Sequence, residues 1–498
     1  MSVSVLSERE QRVEQMGEKK HLEVSSSRQH ATAAYQFEDS CLVDWDSDQD
    51  PELPLNWSAP RRWLCMGIIS GMTFVIGMAS SILSPVVPII MDELHSDNEN
   101  LAIIVISIFV LGFAFGPLIA APISESHGRL MVYNVSNILF LVFNIACAVS
   151  SNMGMLVGFR FLAGCVGGTP MAIGGGTIHD LIRREKRGMA MGIFGGGLLI
   201  GPIVGPVIAG YMVDALDWRW IFWLLAIVSG TVTVTTALCM RETSATAILR
   251  RKTRRLQKST GNYSLRPIND SGLSTKVLLY RSIVRPTRML LLSPVVSLLS
   301  IFLAINYGYL YLLFATLTTT FQNNYRFSTS STGLAYLGLG VGSFIGLVGI
   351  SLLSDRLAQQ RLAQGRYKPE HRLIPMIIGT PFLPIGLLWY GWSAEAQVHW
   401  ILPIMGTAFF GVGMVSTLIP TMAYLVDAFT DYAASALAAA TVLRAVTGAI
   451  LPLAAPQMYA RLGLGWGNSL LAFISLAMLP VPGLFYFYAE RLRLKTPK

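Results

Sequence analysis

Apolar residues run along this chain in long blocks that carry almost no charge, without the strict alternation of half-buried strands. A helix needs about 20 mostly apolar residues to cross the hydrocarbon core of a bilayer. Twelve runs reach that length, over residues 63–90, 101–121, 131–151, 153–178, 189–213, 219–240, 289–318, 331–354, 373–393, 400–426, 433–457 and 466–489. They predict an all-α integral membrane protein of twelve transmembrane helices, numbered here as spans 1 to 12.

Polar segments divide these runs into larger units. Residues 1–62 are polar, with an acidic stretch from Glu38 to Glu52 and no apolar segment behind a basic start. They read as a disordered cytoplasmic tail rather than a cleavable signal peptide. Residues 63–240 form an N-terminal six-helix half and residues 289–489 a C-terminal one. Between them lies a hydrophilic central loop, 241–288, with 12 basic and 2 acidic residues, and residues 490–498 make a short C-terminal tail. Three echoes relate the halves: "ISES" (Ile123 to Ser126) and "LSDR" (Leu353 to Arg356), Asp180 and Asp427, and Trp218 and Trp466. Such repeats place a substrate site near the midplane, between the halves.

Composition agrees with this reading and charge orients it. Of 498 residues, 52% are hydrophobic and 13% charged, with mean hydropathy +0.51. Lys and Arg are kept on the cytoplasmic side during insertion. With both termini cytoplasmic, the inner segments hold 33 of the 38 basic residues and the outer loops hold three: Arg219, Arg326 and Arg461. The net charge of +9 is therefore topological and implies no nucleic-acid partner. The run "RRKTRRLQK" (Arg250 to Lys258) suits contact with anionic lipid. Five unpaired cysteines and seven scattered histidines point to no disulfide framework, metal or cofactor, and no Walker-type phosphate loop is present. An enzyme or a receptor is the reading these features disfavour.

Chemistry concentrates at a few positions. "GGGLLIGPIVGPVIAG" (195–210) packs six glycines and two prolines into span 5. Gly197, Gly201, Gly205 and Ala209 recur every four residues and share one face, where a second helix can approach closely. Pro202 and Pro206 repeat that spacing beside it and require neighbours to satisfy the backbone groups they free. Arg160 and Arg444 are the charges inside the spans; Arg160 lies about 10 Å from the outer end of span 4 at 1.5 Å per residue. Intramembrane charge costs several kcal/mol and faces the bundle interior. No acid lies at a span centre. Glu125, Asp180, Asp355 and Asp427 at inner ends and Asp92 and Glu93 at an outer end are the remaining proton carriers. Ser80, Ser81 and Ser84 on span 1 and Asn306, Tyr307, Tyr309 and Tyr311 on span 7 are cavity candidates; only one helical face can line a cavity.

"GLLIGPIVGP" (Gly197 to Pro206) resembles the antiporter motif G-x-x-x-G-P-x-x-G-[GP] of the twelve-span drug:proton antiporters of the major facilitator superfamily. "APISESHGRL" (Ala121 to Leu130) is similar to the motif between helices 2 and 3, with Glu125, Gly128 and Arg129 matching and Ala121, Ser126 and Leu130 departing. "RFLAG" (Arg160 to Gly164) resembles the helix 4 motif. "DPELPLNW" (Asp50 to Trp57), "YGYLYLLF" (Tyr307 to Phe314) and "VDAFTDYAASALAAATVLR" (Val426 to Arg444) resemble segments of fungal multidrug and mycotoxin efflux pumps.

The resemblance implies export of a hydrophobic or amphipathic small molecule against protons by a monomer. The plasma membrane is its expected place, with the vacuolar membrane second. It implies a charge cluster of Glu125, Arg129 and Asp180 that latches the outward-facing state, and proton coupling through Arg160, Arg444 or Asp427. Nutrient uptake, proton-coupled or facilitative, is the alternative that the antiporter motif disfavours.

Overall fold

The computed structural model describes residues 42–495 apart from 48, 184–185, 269–274, 365–367 and 430–431, and the tail expectation for residues 1–41 lies outside the described residues. Helices dominate. The N-terminal half comprises α1 (Ala59–Ser81) followed by α2 (Val87–Glu93), α3 (Glu99–His127), α4 (Arg129–Ala148), α5 (Met153–Gly167) with α6 (Thr169–Leu181), α7 (Arg187–Ala215) and α8 (Arg219–Cys239). Two helices fill the central loop, α9 (Ala245–Thr260) and α10 (Thr275–Leu292). The C-terminal half comprises α11 (Pro294–Tyr325), α12 (Thr329–Ala363), α13 (Ile374–Gly379) with α14 (Phe382–Glu395), α15 (Ile401–Ala428), α16 (Ala433–Ile450), α17 (Ala455–Met478) and α18 (Pro480–Lys495).

Among the described residues, 11 helical stretches are long and apolar enough to span a membrane, and the last, Ala433–Tyr488, has 56 residues. At 1.5 Å per residue it runs about 84 Å, against a hydrocarbon core of about 30 Å, so it holds two crossings. The break between them is Gly463, at φ 70° and ψ 178° inside α17. Glu395 marks the restart, its carboxylate accepting from the Leu464 amide at 2.8 Å. The chain thus crosses twelve times.

The halves repeat one pairing scheme. In the first, α1 packs on α7, α3 on α5, and α4 on α8; in the second, α11 packs on α16, α12 on α15, and α14 on α17. Between halves, α7 meets α12 and α3 meets α16, two contacts that a two-fold exchange of the halves interconverts. Close contacts across this seam lie at the end away from the basic loop. Thr318 Oγ1 donates to the Ser84 carbonyl at 3.0 Å, and a Cβ on Gly333 would sit 2.6 Å from the Pro206 carbonyl. At the other end α10 touches both halves, through Ser282 Oγ on the Leu118 carbonyl at 3.0 Å and Arg285 over the Tyr432 ring at 5.7 Å.

Two expectations change. The apolar run predicts span 7 over 289–318, whereas the spanning helix is Pro294–Tyr325, because Ser293 separates it from α10. Residues 42–57, expected to be part of a disordered tail, fold onto the central loop. Leu42–Val43 (β1) pairs in parallel with Arg266–Pro267 (β2). The acids then meet α9: Lys252 Nζ lies 2.7 Å from Asp46 and 3.3 Å from Asp50, and Arg255 reaches Glu52 at 3.3 Å. Part of the basic run assigned to lipid is thereby neutralised by the chain's own acidic stretch.

Burial raises the Asp50 carboxyl, but amide hydrogen bonds from Glu52 and Asp46 and the Lys252 ammonium outweigh it and hold the group below its ordinary value. A carboxyl lowered on folding contributes above its unfolded value, near 3.9, and loses that contribution as pH falls through the lower folded value. Docking of residues 42–57 is therefore expected to persist across neutral pH and to fail only below about pH 4. Lys252→Glu is expected to release the segment at pH 7, read as faster protease cleavage near residue 52; unchanged cleavage contradicts the contact.

Candidate functional site

Span 5 supplies the first part of the site. The glycine face of α7 lies on α1. A Cβ at Gly197 would be 2.7 Å from the Ser70 carbonyl, at Gly201 2.5 Å from that of Phe74, and at Gly205 2.7 Å from that of Met78. From the other side, Gly77 faces Pro202 and the Leu198 carbonyl. Proline has no N–H, so Pro206 cannot bond the Pro202 carbonyl four residues back. Ser81 Oγ on α1 donates to that carbonyl at 2.7 Å. The neighbouring face, with Ile203, Pro206 and Gly210, meets Gly340, Gly333 and Thr329 of α12. The glycine stripe thus joins α7 to its own half, and the adjoining face meets the opposite half.

The second part lies at the basic end. Arg129 Nε contacts Asp180 Oδ2 at 2.7 Å, and Arg129 Nη1 donates to the Ile173 carbonyl at 3.0 Å. Gly176 makes room for this guanidinium, which a Cβ there would strike. Glu125 is exposed and forms no ion pair with Arg129 among the described residues, so the expected trio is a pair in this conformation. In the other half Asp427 takes the position of Asp180, with Arg372 Nε 3.1 Å away. The Asp355 side chain lies outside the described residues. At the far end Glu93 is held by Arg219 and by Trp218 Nε1, and Asp92 is exposed.

The third part lies inside the membrane-spanning bundle. Arg160 is 1% exposed; its Nη1 donates to the Ala79 carbonyl at 2.7 Å and its Nε to that of Val105 at 3.3 Å, with the guanidinium 4.5 Å from the Phe109 ring centre. Arg444 is 6% exposed and lies 4.5 Å from the Tyr307 ring centre. Along α11 the Tyr307 ring meets Tyr311 at a tilt, with centroids 5.1 Å apart, and Tyr311 meets Phe314 edge to face at 5.5 Å. This is the face of span 7 that looks toward Arg444. Asn306 and Tyr309 are buried about a quarter-turn or more away. Ser84, at the unwound end of α1, belongs to the seam between halves through its carbonyl.

Comparison with known proteins decides the family. The sequence profile of the Major Facilitator Superfamily matches residues 69–452. The chain belongs to the Major Facilitator Superfamily. The MFS-type transporter atr4 of Stereocaulon alpinum is 49% identical, over 94% of this chain and 85% of that protein. The MFS-type transporter penM of Penicillium rubens is 50% identical, over 92% and 91%. The efflux pump radE of Floropilus chiversii is 46% identical, over 91% and 85%. In fold the chain is similar to the xylose transporter XylE from E. coli in a partially occluded inward open conformation, with TM-score 0.65 and 14% identity over 86% of this chain and 98% of that one. The chain is a membrane transporter and not an enzyme.

Against the superfamily's loop pattern, two residues that the sequence reading missed stand beside its departures. Glu242, 6% exposed, accepts from the amides of Arg129 at 2.9 Å and Leu130 at 3.2 Å, capping α4 where free N–H groups favour an anion. Gly128, at φ 98°, allows this approach; a Cβ there would meet Glu242 Oε2. Arg250 Nη1 donates to the Ser126 carbonyl at 2.8 Å, bringing a basic group to the position where the pattern's basic side chain is absent. More than a hundred residues separate these partners in sequence, and no local periodicity signals such pairs.

Gly201→Leu is expected to abolish transport while the protein still inserts, because the obstructing atoms are backbone. Ser81→Ala leaves one buried carbonyl unpartnered and is expected to cost about 1 kcal/mol of stability, read as a lower unfolding midpoint in detergent. Full transport by Gly201→Leu, or an unchanged midpoint for Ser81→Ala, contradicts the tight α1–α7 seam.

Proposed function

We propose that this chain exports amphipathic or hydrophobic small molecules of the toxin or drug type across the plasma membrane in exchange for protons, with both termini in the cytoplasm. The observation that carries the reading is the α7 stripe of Gly197, Gly201 and Gly205 with Pro202 and Pro206, in a chain 46% identical to a protein named as an efflux pump. With the basic end cytoplasmic, the seam joined by Ser84 and Thr318 is the outer one, and the conformation faces inward. Substrate then enters from the cytoplasm between the halves. Rocking of the halves breaks the outer seam and closes the inner end.

Proton coupling needs a group that changes charge, and a guanidinium does not release its proton. Arg160 acts as a fixed charge beside the path. Asp427, held by Arg372, is the proton-coupling carboxylate of this reading, and Asp180, held by Arg129, is its counterpart. Breaking such part-buried pairs has a definite cost that substrate and proton binding offset, which suits a two-state switch.

Expressed in a yeast lacking its own drug pumps, the protein is expected to lower accumulation of amphipathic toxic compounds. Collapse of the proton gradient is expected to remove that effect, and Asp427→Asn to uncouple export from proton flow. Raised accumulation or raised sensitivity overturns export; gradient-independent export overturns the coupling.

A further inference from the structure

Two guanidiniums are buried inside the membrane-spanning bundle, and among the described residues neither meets a carboxylate. Arg160 is partly satisfied by the carbonyls of Ala79 and Val105, though its Nη2 is buried without an acceptor. Arg444 has less. Its Nε is buried with no hydrogen-bond partner among the described residues, and the π face of Tyr307 lies 4.5 Å from the guanidinium. A buried Arg without an anion is costly, and a cation–π contact offsets only part of that cost.

The surroundings place Arg444 close to where the two halves meet. Tyr311, next along the same face of α11, lies within electrostatic reach of both Arg444 and Arg160, although the arginines come from opposite halves. Gly448, one turn beyond Arg444 on α16, faces the Tyr307 and Tyr311 rings, so these helices pack closely where the cation sits. Asn306 Nδ2, on the flank of α11 at the same level, is a further buried donor without an acceptor. The acids of the inner ends are engaged elsewhere: Asp180 with Arg129 and Asp427 with Arg372. The centre of the molecule therefore holds unfilled donors and positive charge, lined by aromatic faces.

We propose that Arg444 is the counter-ion for an anionic substrate: an amphipathic aromatic acid whose carboxylate, or equally acidic enol, meets the guanidinium while its ring system lies on Tyr307 and Tyr311. This deepens the export reading, on which it rests, by naming the substrate class. The carboxylate replaces the missing acceptor. The guanidinium's planar fork suits a bidentate contact that a lysine ammonium cannot copy.

The test is direct binding to the purified full-length protein in lipid nanodiscs, read by energy transfer from tryptophan to pyrene. Three probes share one body: pyrenebutyrate, pyrenebutanamide and pyrenebutylamine. The carboxylate is expected to bind about ten- to a hundred-fold more tightly than the carboxamide, with the amine weakest. Arg444→Gln is expected to bring carboxylate and carboxamide to equal affinity, and Arg444→Lys to restore part of the preference. Equal affinities in the unaltered protein, preference for the amine, absence of saturable carboxylate binding, or equal weakening of all three probes in Arg444→Gln each overturn the assignment. Binding requires no flux, so carboxylate selectivity without export would leave this inference standing and sink export alone.

Discussion

The approach of α7 to α1 is the contact on which the other parts of this transporter depend. Three successive glycines bring one backbone against another at separations that leave no room for a methyl group. In a bilayer, association of helices draws on close packing and interhelical hydrogen bonds rather than on the hydrophobic effect. The Ser81 hydroxyl adds such a bond where proline has opened the backbone ladder. Two prolines inside an apolar helix are tolerable because a particular neighbour repairs the defect they make. The result is a close seam inside the N-terminal half, which leaves the adjoining face of α7 to meet and part from α12.

That division of labour separates what holds from what moves. Within each half the pairing scheme is the same, so the halves behave as two similar bodies. Between them, the outer contacts include the Thr318–Ser84 hydrogen bond and close backbone approaches, and the basic end carries ion pairs within each half, Arg129 with Asp180 and Arg372 with Asp427. Glu242 and Arg250 tie the start of the central loop to the N-terminal half, and the acidic residues 44–52 tie down α9 in turn. Helix α10 then spans the gap to the second half. A linker so anchored transmits motion of α10 without letting the loop drift.

Much of this was legible in the sequence. Span number follows from the length of apolar runs, and the Gly463 break falls in the expected gap between spans 11 and 12. The glycine spacing required a close partner but carried no information about which helix, since any close-packed neighbour satisfies the same periodicity. The aromatic residues of span 7 were visible, yet the choice of Tyr307 and Tyr311 over Asn306 and Tyr309 depends on where α16 packs. Glu125 illustrates the converse: its motif position matches, but among the described residues it forms no ion pair with Arg129, while Glu242, just past span 6, occupies the helix terminus. Pairings between distant segments, such as residues 42–52 with α9, leave no local trace because opposite charges attract at any sequence separation.

Transport by this mechanism requires the outer seam at Ser84 and Thr318 to open while the α1–α7 seam stays closed. A cysteine pair at these positions, Ser84→Cys with Thr318→Cys, in a protein freed of its native cysteines, measures this directly through export before and after oxidative cross-linking. Cross-linking is expected to stop export and reduction to restore it. Full export by the cross-linked protein would contradict the account.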